Sequence, residues 1–267
     1  VYTTDLRFPL GERFEYSQTN FWLLQRLIEK LSGMSISTFI QQQFPEVSDS
    51  VLFSSDARDI ILNRTTAYFP FAKGHISIDQ PYYQGDYSYA MNGLHLSLRD
   101  FISWDLNFRN NAFLKSSTHT QMWTAFPYHN QTDQFAYGWG MYELNGHKAY
   151  GFSGSGSTIY RIFPEKKLSI IFLSNGFGRS HDLYEMINHL AYLVDEDLRD
   201  EEGVFYEKLV ESWETKGIKQ SLQLYQEYKR KEEYADVDVE GIINRLGYQL
   251  LAQGALEDAL KVFETNA

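Results

Sequence analysis

Residues 150–175 read YGFSGSGSTIYRIFPEKKLSIIFLSN and carry the clearest structural signal in the chain. A loop of glycine and serine precedes an apolar run over Thr158–Phe163, a turn at Pro164–Lys167 and a second apolar run over Leu168–Leu173. This pattern predicts two strands joined by a tight turn. The second run is apolar at successive positions, as in a strand covered on both faces. We therefore predict that Leu168–Leu173 lies in the interior of its sheet.

The serines at the start of this stretch nearly match the G-x-S-x-G nucleophile elbow of α/β-hydrolases. Residues 151–155 read GFSGS, so Ser155 stands where the elbow has its last glycine. An elbow leads from a strand into a helix, whereas a strand follows here, and we reject Ser153 as an elbow nucleophile. Glycines at a strand edge instead let a substrate approach backbone N–H groups, which can stabilise a developing oxyanion.

Composition limits the size and the partners of the protein. The chain has 267 residues, of which 43% are hydrophobic and 16% aromatic, so it can bury a large core and hold more than one domain. The formal net charge is −11 and no basic cluster is present, which argues against nucleic acid or an anionic membrane as a partner. No apolar run reaches the length that spans a bilayer.

The sequence indicates no metal and no cofactor. Cysteine is absent, which excludes a disulfide framework, a thiol nucleophile and a zinc–cysteine site. The histidines form no HExxH motif and no i, i+4 pair. We expect surface or structural roles, rather than metal ligation, for His119, His129, His147, His181 and His189.

The first helix is predicted over Thr19–Ser32, where apolar residues keep helical spacing. Gly33 follows as the glycine expected beyond a helix C-terminus. The helix start therefore presents Tyr16, Ser17 and Gln18 where backbone N–H groups are free, which is a suitable place for polar chemistry.

The middle of the chain gives a less regular pattern. Residues 41–89 combine turns, aromatic residues and short apolar pieces, and we predict irregular loops with a helix or two. A helix is predicted over Leu98–Phe108, with Ser97 as its N-cap and Asp100 in the capping-box position.

The second half predicts a strand, a hairpin and then helices. Tyr137–Tyr142 is typical of a strand with interspersed glycine, and Asn145–Gly146 is a strong hairpin-turn signal. A helix over Asp182–Asp197 ends in an acidic run, so we place a domain boundary near residue 200. Residues 201–267 have a helical pattern throughout. The apolar positions that define these helices are Phe205, Leu209 and Trp213, then Leu222–Tyr228, Ile243–Ala252 and Leu256–Phe263.

Motifs in residues 1 to about 200 resemble, in order, the serine β-lactamase and penicillin-binding protein-like superfamily, most closely its class C and esterase-like branch. They are PLGERFEYSQ at 9–18, GLHLSLRDF at 93–101, YGWG at 137–140 and the 150–175 stretch. The resemblance implies an α+β fold, in which an antiparallel sheet is flanked by helices and the family's N-terminal part is missing. It implies domains at 1–200 and 201–267, the second an all-α helical-hairpin extension.

The chemistry that the resemblance implies is acyl transfer through the serine of an S-x-x-K motif. Tyr16 corresponds to the tyrosine of the family's Y-x-N motif, a candidate general base, and Gln18 corresponds to its asparagine. A free phenol has a pKa of about 10, so a tyrosine base at neutral pH needs nearby positive charge. In the family that charge comes largely from the S-x-x-K lysine.

The strand motif of the family, K-T-G or H-x-G, corresponds to Phe152, Ser153 and Gly154. Ser155 would supply a backbone N–H to the oxyanion hole. The lysine or histidine usually found at the first position can pair with a substrate carboxylate, and a phenyl ring cannot. We therefore expect poor recognition of penicillin-type carboxylates and an uncharged ester or amide as the small-molecule or peptide acyl substrate. The extra methylene of Gln18 also moves its amide relative to asparagine.

The S-x-x-K motif itself is absent, because no lysine of the chain has serine three positions before it. In the family the motif lies several tens of residues before Y-x-N, which here falls upstream of Val1. Two expectations stay open. The parent protein carries the motif and this chain is a piece of an active serine hydrolase, or the parent has lost it and is a catalytically inactive binding or interaction module.

Residues 240–267 resemble a tetratricopeptide-like helical hairpin, in which small residues permit close helix contact. One repeat cannot bury its apolar face alone, so it must pack on the helices of 204–231 or continue in the parent. It is either a platform for a protein partner or a structural cap on the catalytic domain. Relatives are often exported, so the resemblance implies a periplasmic or secreted location. The positions that carry this resemblance are Leu246, Gly247, Leu250, Gly254, Leu256, Ala259 and Phe263.

Overall fold

The computed structural model describes residues 5–44, 52–56, 58–70, 76–78, 85–128, 134–154, 158–176, 180–234 and 237–266. Its helices are α1 (Gln18–Ser32), α2 (Ile36–Gln43), α3 (Tyr89–Asn92), α4 (Leu98–Arg109), α5 (Ser116–Met122), α6 (Ser180–Val194), α7 (Glu201–Lys216), α8 (Ile218–Tyr228), α9 (Val239–Gln253) and α10 (Leu256–Asn266). Its strands are β1 (Leu52–Phe53), β2 (Tyr68–Pro70), β3 (Ile76–Ile78), β4 (Leu94–His95), β5 (Gln134–Ala136), β6 (Trp139–Leu144), β7 (His147–Gly154), β8 (Thr158–Phe163) and β9 (Leu168–Leu173). An antiparallel sheet with flanking helices confirms the α+β class.

The predicted C-terminal glycine of α1 and the predicted N-cap of α4 are confirmed. Ser17 is the N-cap of α1, where its Oγ accepts a hydrogen bond from the N–H of Thr19 at 3.3 Å. The helix ends at Gly33, which has the left-handed φ of 71° that favours glycine. Ser97 caps α4 and accepts from the N–H of Asp100 at 3.2 Å. Side-chain oxygens thus satisfy N–H groups that have no partner within the helix.

The main sheet of the described chain is a five-stranded meander in the order β5-β6-β7-β8-β9. The predicted hairpin turn at Asn145–Gly146 is confirmed, with φ of 49° and 79°, as the tight turn between β6 and β7 requires. The strand predicted over Tyr137–Tyr142 is confirmed from Trp139 onward, but its predicted start is wrong. Tyr137 and Gly138 form a turn with φ of 48° and 85°, and β6 starts only at Trp139. A tyrosine in a left-handed conformation is uncommon, which explains the error.

The position predicted for Leu168–Leu173 is also wrong, because β9 is the last strand in the sheet order of the described chain. Most of its residues are half-buried, and Leu173 is exposed. The buried strand is β8, in which every residue from Ile159 to Phe163 is buried. The apolar run at 168–173 thus predicted a strand, but it did not indicate whether that strand has a neighbour on each side.

A buried hydrogen-bond network fixes α4 on the sheet. The carboxylate of Asp105 accepts from the hydroxyl of Tyr160 at 2.6 Å and from that of Ser169 at 2.7 Å. Arg109, one turn later in α4, pairs with the same carboxylate at 3.0 Å and donates to the carbonyl of Lys167 at 3.1 Å. The charge of Asp105 is therefore both paired and hydrogen-bonded inside the protein, as a buried carboxylate requires.

The irregular region predicted at 41–89 contains short regular pieces. Strand β1 pairs with β4, and β2 pairs with β3, in two antiparallel two-stranded sheets. Helix α2 precedes this region, and α3 follows the 3-10 turn Asp86–Ser88. Strands of two or three residues are too short to show a period-two pattern in the sequence, so their pairing was not predictable.

The chain forms two compact units, one from 1–143 with 148–183 and the other from 144–147 with 184–267. In the second unit, α7 to α10 enclose an apolar core in which the side chains of Phe205, Leu209, Ile243 and Leu246 are fully buried. The helices predicted beyond residue 200 are therefore confirmed. The domain limits 1–200 and 201–267 stay predictions.

Close contact between α9 and α10 depends on a glycine. A Cβ atom added at Gly247 would lie 2.6 Å from Cε1 of Phe263, which is nearer than atoms can approach without displacement. The indole N–H of Trp213 also donates to Asp258 of α10 at 3.0 Å, and this bond, with help from Lys261, lowers the pKa of that carboxyl. Helices α9 and α10 are thus held as a tight hairpin against α7.

Candidate active site

The segment that starts α1 carries the predicted base and amide. Tyr16 is 68% exposed and comes directly before the N-cap Ser17. Gln18 is the first residue of the helix. The phenol therefore lies at a surface, directly before the first turn of α1, where the N–H groups of Thr19 and Asn20 donate to Ser17.

Helix α1 is held rigidly behind this segment. Gln25 is buried, and its amide donates to the carbonyl of Asp86 at 2.9 Å and accepts from the N–H of Ala90 at 3.0 Å. It also donates to Glu29 at 3.1 Å. Although desolvation raises the pKa of the Glu29 carboxyl, hydrogen bonds from Gln25, from a backbone N–H and from Arg26 lower it overall. This network fixes the helix whose first turn holds Gln18.

The second predicted segment is the end of β7. Phe152 pairs with Tyr160 of β8, and Ser153 and Gly154 pair with the next two residues back along that strand. Just before them, an added Cβ at Gly151 would lie 1.9 Å from the carbonyl oxygen of Tyr160. Only glycine lets the two strands approach so closely here. Ser155, the predicted oxyanion donor, lies outside the described residues, as does His129.

Phe152 belongs to an aromatic wall. Its ring is 36% exposed, and its centroid lies 6.2 Å from Phe101 in a stacked arrangement. Trp139 is 5.9 Å away edge-on, and Tyr160 is 5.4 Å away. The position that carries lysine or histidine in the family resemblance is thus filled by a ring packed among rings. The exposed part of this wall can contact an apolar group.

One hairpin contacts both segments. Phe14, two residues before Tyr16, stacks on Phe135 of β5 with centroids 4.9 Å apart. Beyond the segment, the ring of Phe21 lies 3.4 Å from the position of a Cβ added at Gly138 in the β5–β6 turn. Trp139, next in the chain, reaches Phe152 on β7. The structure therefore brings the two segments to the same hairpin, and the catalytic roles of their residues stay predictions.

His119 has a structural role close to this region. Across the described ranges, no group of three or more histidine, aspartate or glutamate side chains could hold a metal ion. His119 is buried and stacks on Phe108 with centroids 4.5 Å apart. Burial lowers its pKa, because desolvation disfavours the imidazolium. A packed neutral ring is the structural role expected from the sequence.

Comparison with known proteins decides the family. The family model described as Beta-lactamase matches residues 1–192. The chain belongs to the beta-lactamase family. Beta-lactamase-family relatives among curated proteins include the serine beta-lactamase-like protein LACTB, mitochondrial, of Mus musculus and Homo sapiens. Each is 24% identical over 157 residues, which cover 52% of this chain and 28% of the relative. The chain thus spans less than a third of the length of these curated relatives.

Solved structures with this beta-lactamase-family fold include the octameric penicillin-binding protein homologue from Pyrococcus abyssi. It is 22% identical, with a TM-score of 0.62 over 76% of this chain and 47% of that chain. A D-stereospecific amidohydrolase from Streptomyces sp. is 17% identical, with a TM-score of 0.55 over 67% of this chain and 55% of that chain. At these identities the likeness establishes the fold. In the part of the chain that the structure describes, no helix is long and apolar enough to cross a membrane.

Sequence reasoning left two site features without a role. Trp139 contacts Phe152 and follows the turn that packs on α1, and the sequence alone assigns it no such contact. Tyr137 was placed inside a strand and not at a turn. The available signal was the glycine after it, because a residue followed by glycine between apolar runs is a hairpin pattern.

Proposed function

We propose that this chain is part of a serine hydrolase that transfers acyl groups through a serine acyl-enzyme, with the nucleophile and its lysine supplied from upstream of this chain. The observation that carries the proposal is the shared hairpin contact of the two motif segments. Tyr16 takes the proton of the serine hydroxyl while the Oγ–acyl bond forms. It returns that proton to the leaving group as the acyl–leaving group bond breaks, and water then releases the acid.

The other predicted residues position the substrate. The amide of Gln18 hydrogen-bonds the acyl portion, and the backbone N–H of Ser155 stabilises the oxyanion. Ser153 and Gly154 form the strand edge along which the substrate lies. The side chain of Gln18 is one methylene longer than that of asparagine. It therefore suits a substrate whose hydrogen-bond acceptor lies further from α1 than an asparagine amide would reach.

The substrate class follows from Phe152. A phenyl ring within an aromatic wall cannot pair with a carboxylate, and desolvating that charge against apolar rings is unfavourable. We therefore assign an uncharged ester or amide as substrate, with penicillin-type carboxylates as poor ones. A solved relative of the same fold is named as an amidohydrolase, which is consistent with amide chemistry on this scaffold.

The C-terminal helices are proposed to form a tetratricopeptide-like hairpin. The close approach of α9 and α10 at Gly247 supports this arrangement. Its proposed role is structural, with contact to a protein partner as the second possibility for the same helices. The family resemblance supports a periplasmic or secreted location, whereas the curated relatives are named as mitochondrial.

A second candidate function is a catalytically inactive binding module. The observation that favours it is that no lysine of this chain stands in an S-x-x-K motif. The apolar ring at Phe152 would then serve ligand contact alone. The two functions differ in whether an activated serine exists in the parent protein.

Intact-mass spectrometry after incubation with a fluorophosphonate probe separates these functions. The parent protein that carries this chain is expected to gain one probe adduct, and the 267-residue chain is expected to gain none. No adduct on a folded parent would favour the binding module. An adduct on the isolated chain would show that Ser153 or a neighbouring serine was wrongly rejected.

The substrate assignment has its own test. Replacing Phe152 with lysine in the parent is expected to improve the relative kcat/KM for a carboxylate-bearing penicillin over a neutral ester. The matched control Phe152→Leu keeps the position apolar and should leave that ratio low. Efficient penicillin turnover by the unmodified parent would contradict the assignment.

A further inference from the structure

Two turns of the main sheet have similar left-handed φ angles at two successive positions but different residues at the first of them. The β6–β7 turn has Asn145 at φ 49° and Gly146 at φ 79°. The β5–β6 turn has Tyr137 at φ 48° and Gly138 at φ 85°. Asparagine is a preferred residue at this left-handed position, whereas a tyrosine there is strained. The first turn thus has the residue that its geometry favours, and the second does not.

The core does not account for this tyrosine. The side chain of Tyr137 is 71% exposed, and it lies outside the aromatic cluster that contains Trp139 and Tyr160. Its hydroxyl accepts a hydrogen bond from the amide of Gln121 at 3.2 Å, on an exposed surface. An exposed neutral hydrogen bond of this kind competes with water and adds little stability.

The location of Tyr137 connects it with the proposed site. The next residue, Gly138, lies against the ring of Phe21, one turn beyond the start of α1. The residue after that, Trp139, contacts Phe152. The exposed ring of Tyr137 therefore stands at the turn that joins the α1 segment with the β7 segment.

We propose that Tyr137 is a specificity-determining residue whose exposed ring contacts the apolar acyl or aryl group of an uncharged substrate. The inference rests on the proposed function, because it assigns a contact for the substrate of that site. An aromatic ring gives a large apolar contact with few rotatable bonds. Backbone strain that adds nothing to packing is most often retained where a side chain is used for binding.

Two variants of the parent protein separate ring contact from a structural role. Tyr137→Asn installs the residue found in the sister turn and removes the ring. Tyr137→Phe keeps the ring and removes only the hydrogen bond from Gln121. Thermal unfolding and the kinetics of para-nitrophenyl butyrate hydrolysis are measured for both.

We expect Tyr137→Asn to increase thermal stability and to weaken substrate binding. Tyr137→Asn should raise Tm by about 2–4 °C through relief of the left-handed strain. It should raise KM about 3–10-fold, the size of an aromatic contact, with kcat within about two-fold. Tyr137→Phe should leave KM within about two-fold. An unchanged KM in Tyr137→Asn, or an equal rise in both variants, would overturn the proposal.

Binding of benzyl propyl ketone, a non-hydrolysable analogue of phenyl butyrate, keeps the test independent of catalysis. If the parent gains no fluorophosphonate adduct but Tyr137→Asn weakens ketone binding and Tyr137→Phe does not, the hydrolase assignment fails and the Tyr137 contact stands. Equal ketone binding by the parent and by Tyr137→Asn would refute the contact whether or not the serine is active.

Discussion

Removing the hydroxyl of Tyr160 tests how α4 is attached to the sheet. Tyr160→Phe deletes a single oxygen atom from a fully buried side chain and leaves the aromatic packing in place. The lost bond runs to the carboxylate of Asp105 at 2.6 Å. Asp105 keeps its bonds from Ser169 and Arg109, so its charge remains paired.

The magnitude follows from the charge on the acceptor. A hydrogen bond to a charged group contributes about 1.5–3 kcal/mol. Since two partners of the carboxylate survive, we expect Tyr160→Phe to lower the free energy of unfolding by about 2 kcal/mol. Asp105→Ala removes the carboxylate partner of Arg109, Tyr160 and Ser169 at once. We expect it to lower the free energy of unfolding by about 3–5 kcal/mol.

Urea unfolding followed by tryptophan fluorescence measures this loss, because Trp104 and Trp139 lie 6.0 and 5.9 Å from the ring of Tyr160. The midpoint should fall at an unchanged m-value. The matched control is Tyr16→Phe, which removes the same atom from an exposed residue and should change stability by less than about 0.5 kcal/mol. Equal effects of the two variants would refute the buried network.

The same bond predicts an alkaline transition. Burial and the hydrogen bond to Asp105 raise the pKa of the Tyr160 phenol. The unfolded chain therefore loses this proton first, near its ordinary pKa of about 10, and folded stability declines as pH rises above that value. Tyr160→Phe should show a shallower decline above pH 10 than the unmodified protein, and an equal slope would count against the assignment.

Further predictions concern packing and ionisation elsewhere. Because burial lowers the pKa of His119, stability should fall as pH drops below about 6.5, and His119→Phe should reduce that slope in acid titrations followed by fluorescence. Gly247→Ala should cost about 1 kcal/mol in urea unfolding, since the clash with Phe263 outweighs the gain in helix propensity, and adding Phe263→Leu should reverse the loss. Gln25→Leu should lower the unfolding free energy by about 1–3 kcal/mol, because it removes the side-chain partners of the Asp86 carbonyl and the Ala90 N–H.

The helices were predictable because their signals are local. Ser97 caps α4 and Gly33 ends α1, as their positions at the limits of apolar periodic segments suggested. The four helices beyond residue 200 were likewise visible in their apolar spacing. Each of these elements is specified by residues within a few turns of one another, so the neighbours in space were not needed.

Sheet position and turn chemistry were less predictable. The apolar run Leu168–Leu173 was correctly taken as a strand, but which strands lie beside it depends on the whole chain. Tyr137 concealed a turn, because its own preference opposes the conformation that it adopts. Strands β1 and β4 pair across a long sequence separation that no local pattern records, and β2 and β3 are too short to show a strand pattern.

The candidate site was found through motif resemblance and not through physical pattern. Helical spacing shows that Gln18 opens a helix, but it does not distinguish a catalytic amide from a surface one. The contact of both motif segments with the β5–β6 hairpin required the fold. Tyr137, in contrast, was identified as a candidate substrate contact from its left-handed backbone angle and not from motif resemblance.

The meander of the main sheet has a consequence for how the protein reaches its folded state. Each strand from β5 to β9 pairs with its neighbour in the chain, so the loops that must close are short and lose little entropy. Such a sheet has low contact order and is expected to form early, as a template for later elements. The segment around Phe14, which stacks on Phe135 across a long sequence separation, would then dock late. Tyr16, the proposed catalytic base, would thus be among the last groups to reach its place during synthesis and refolding.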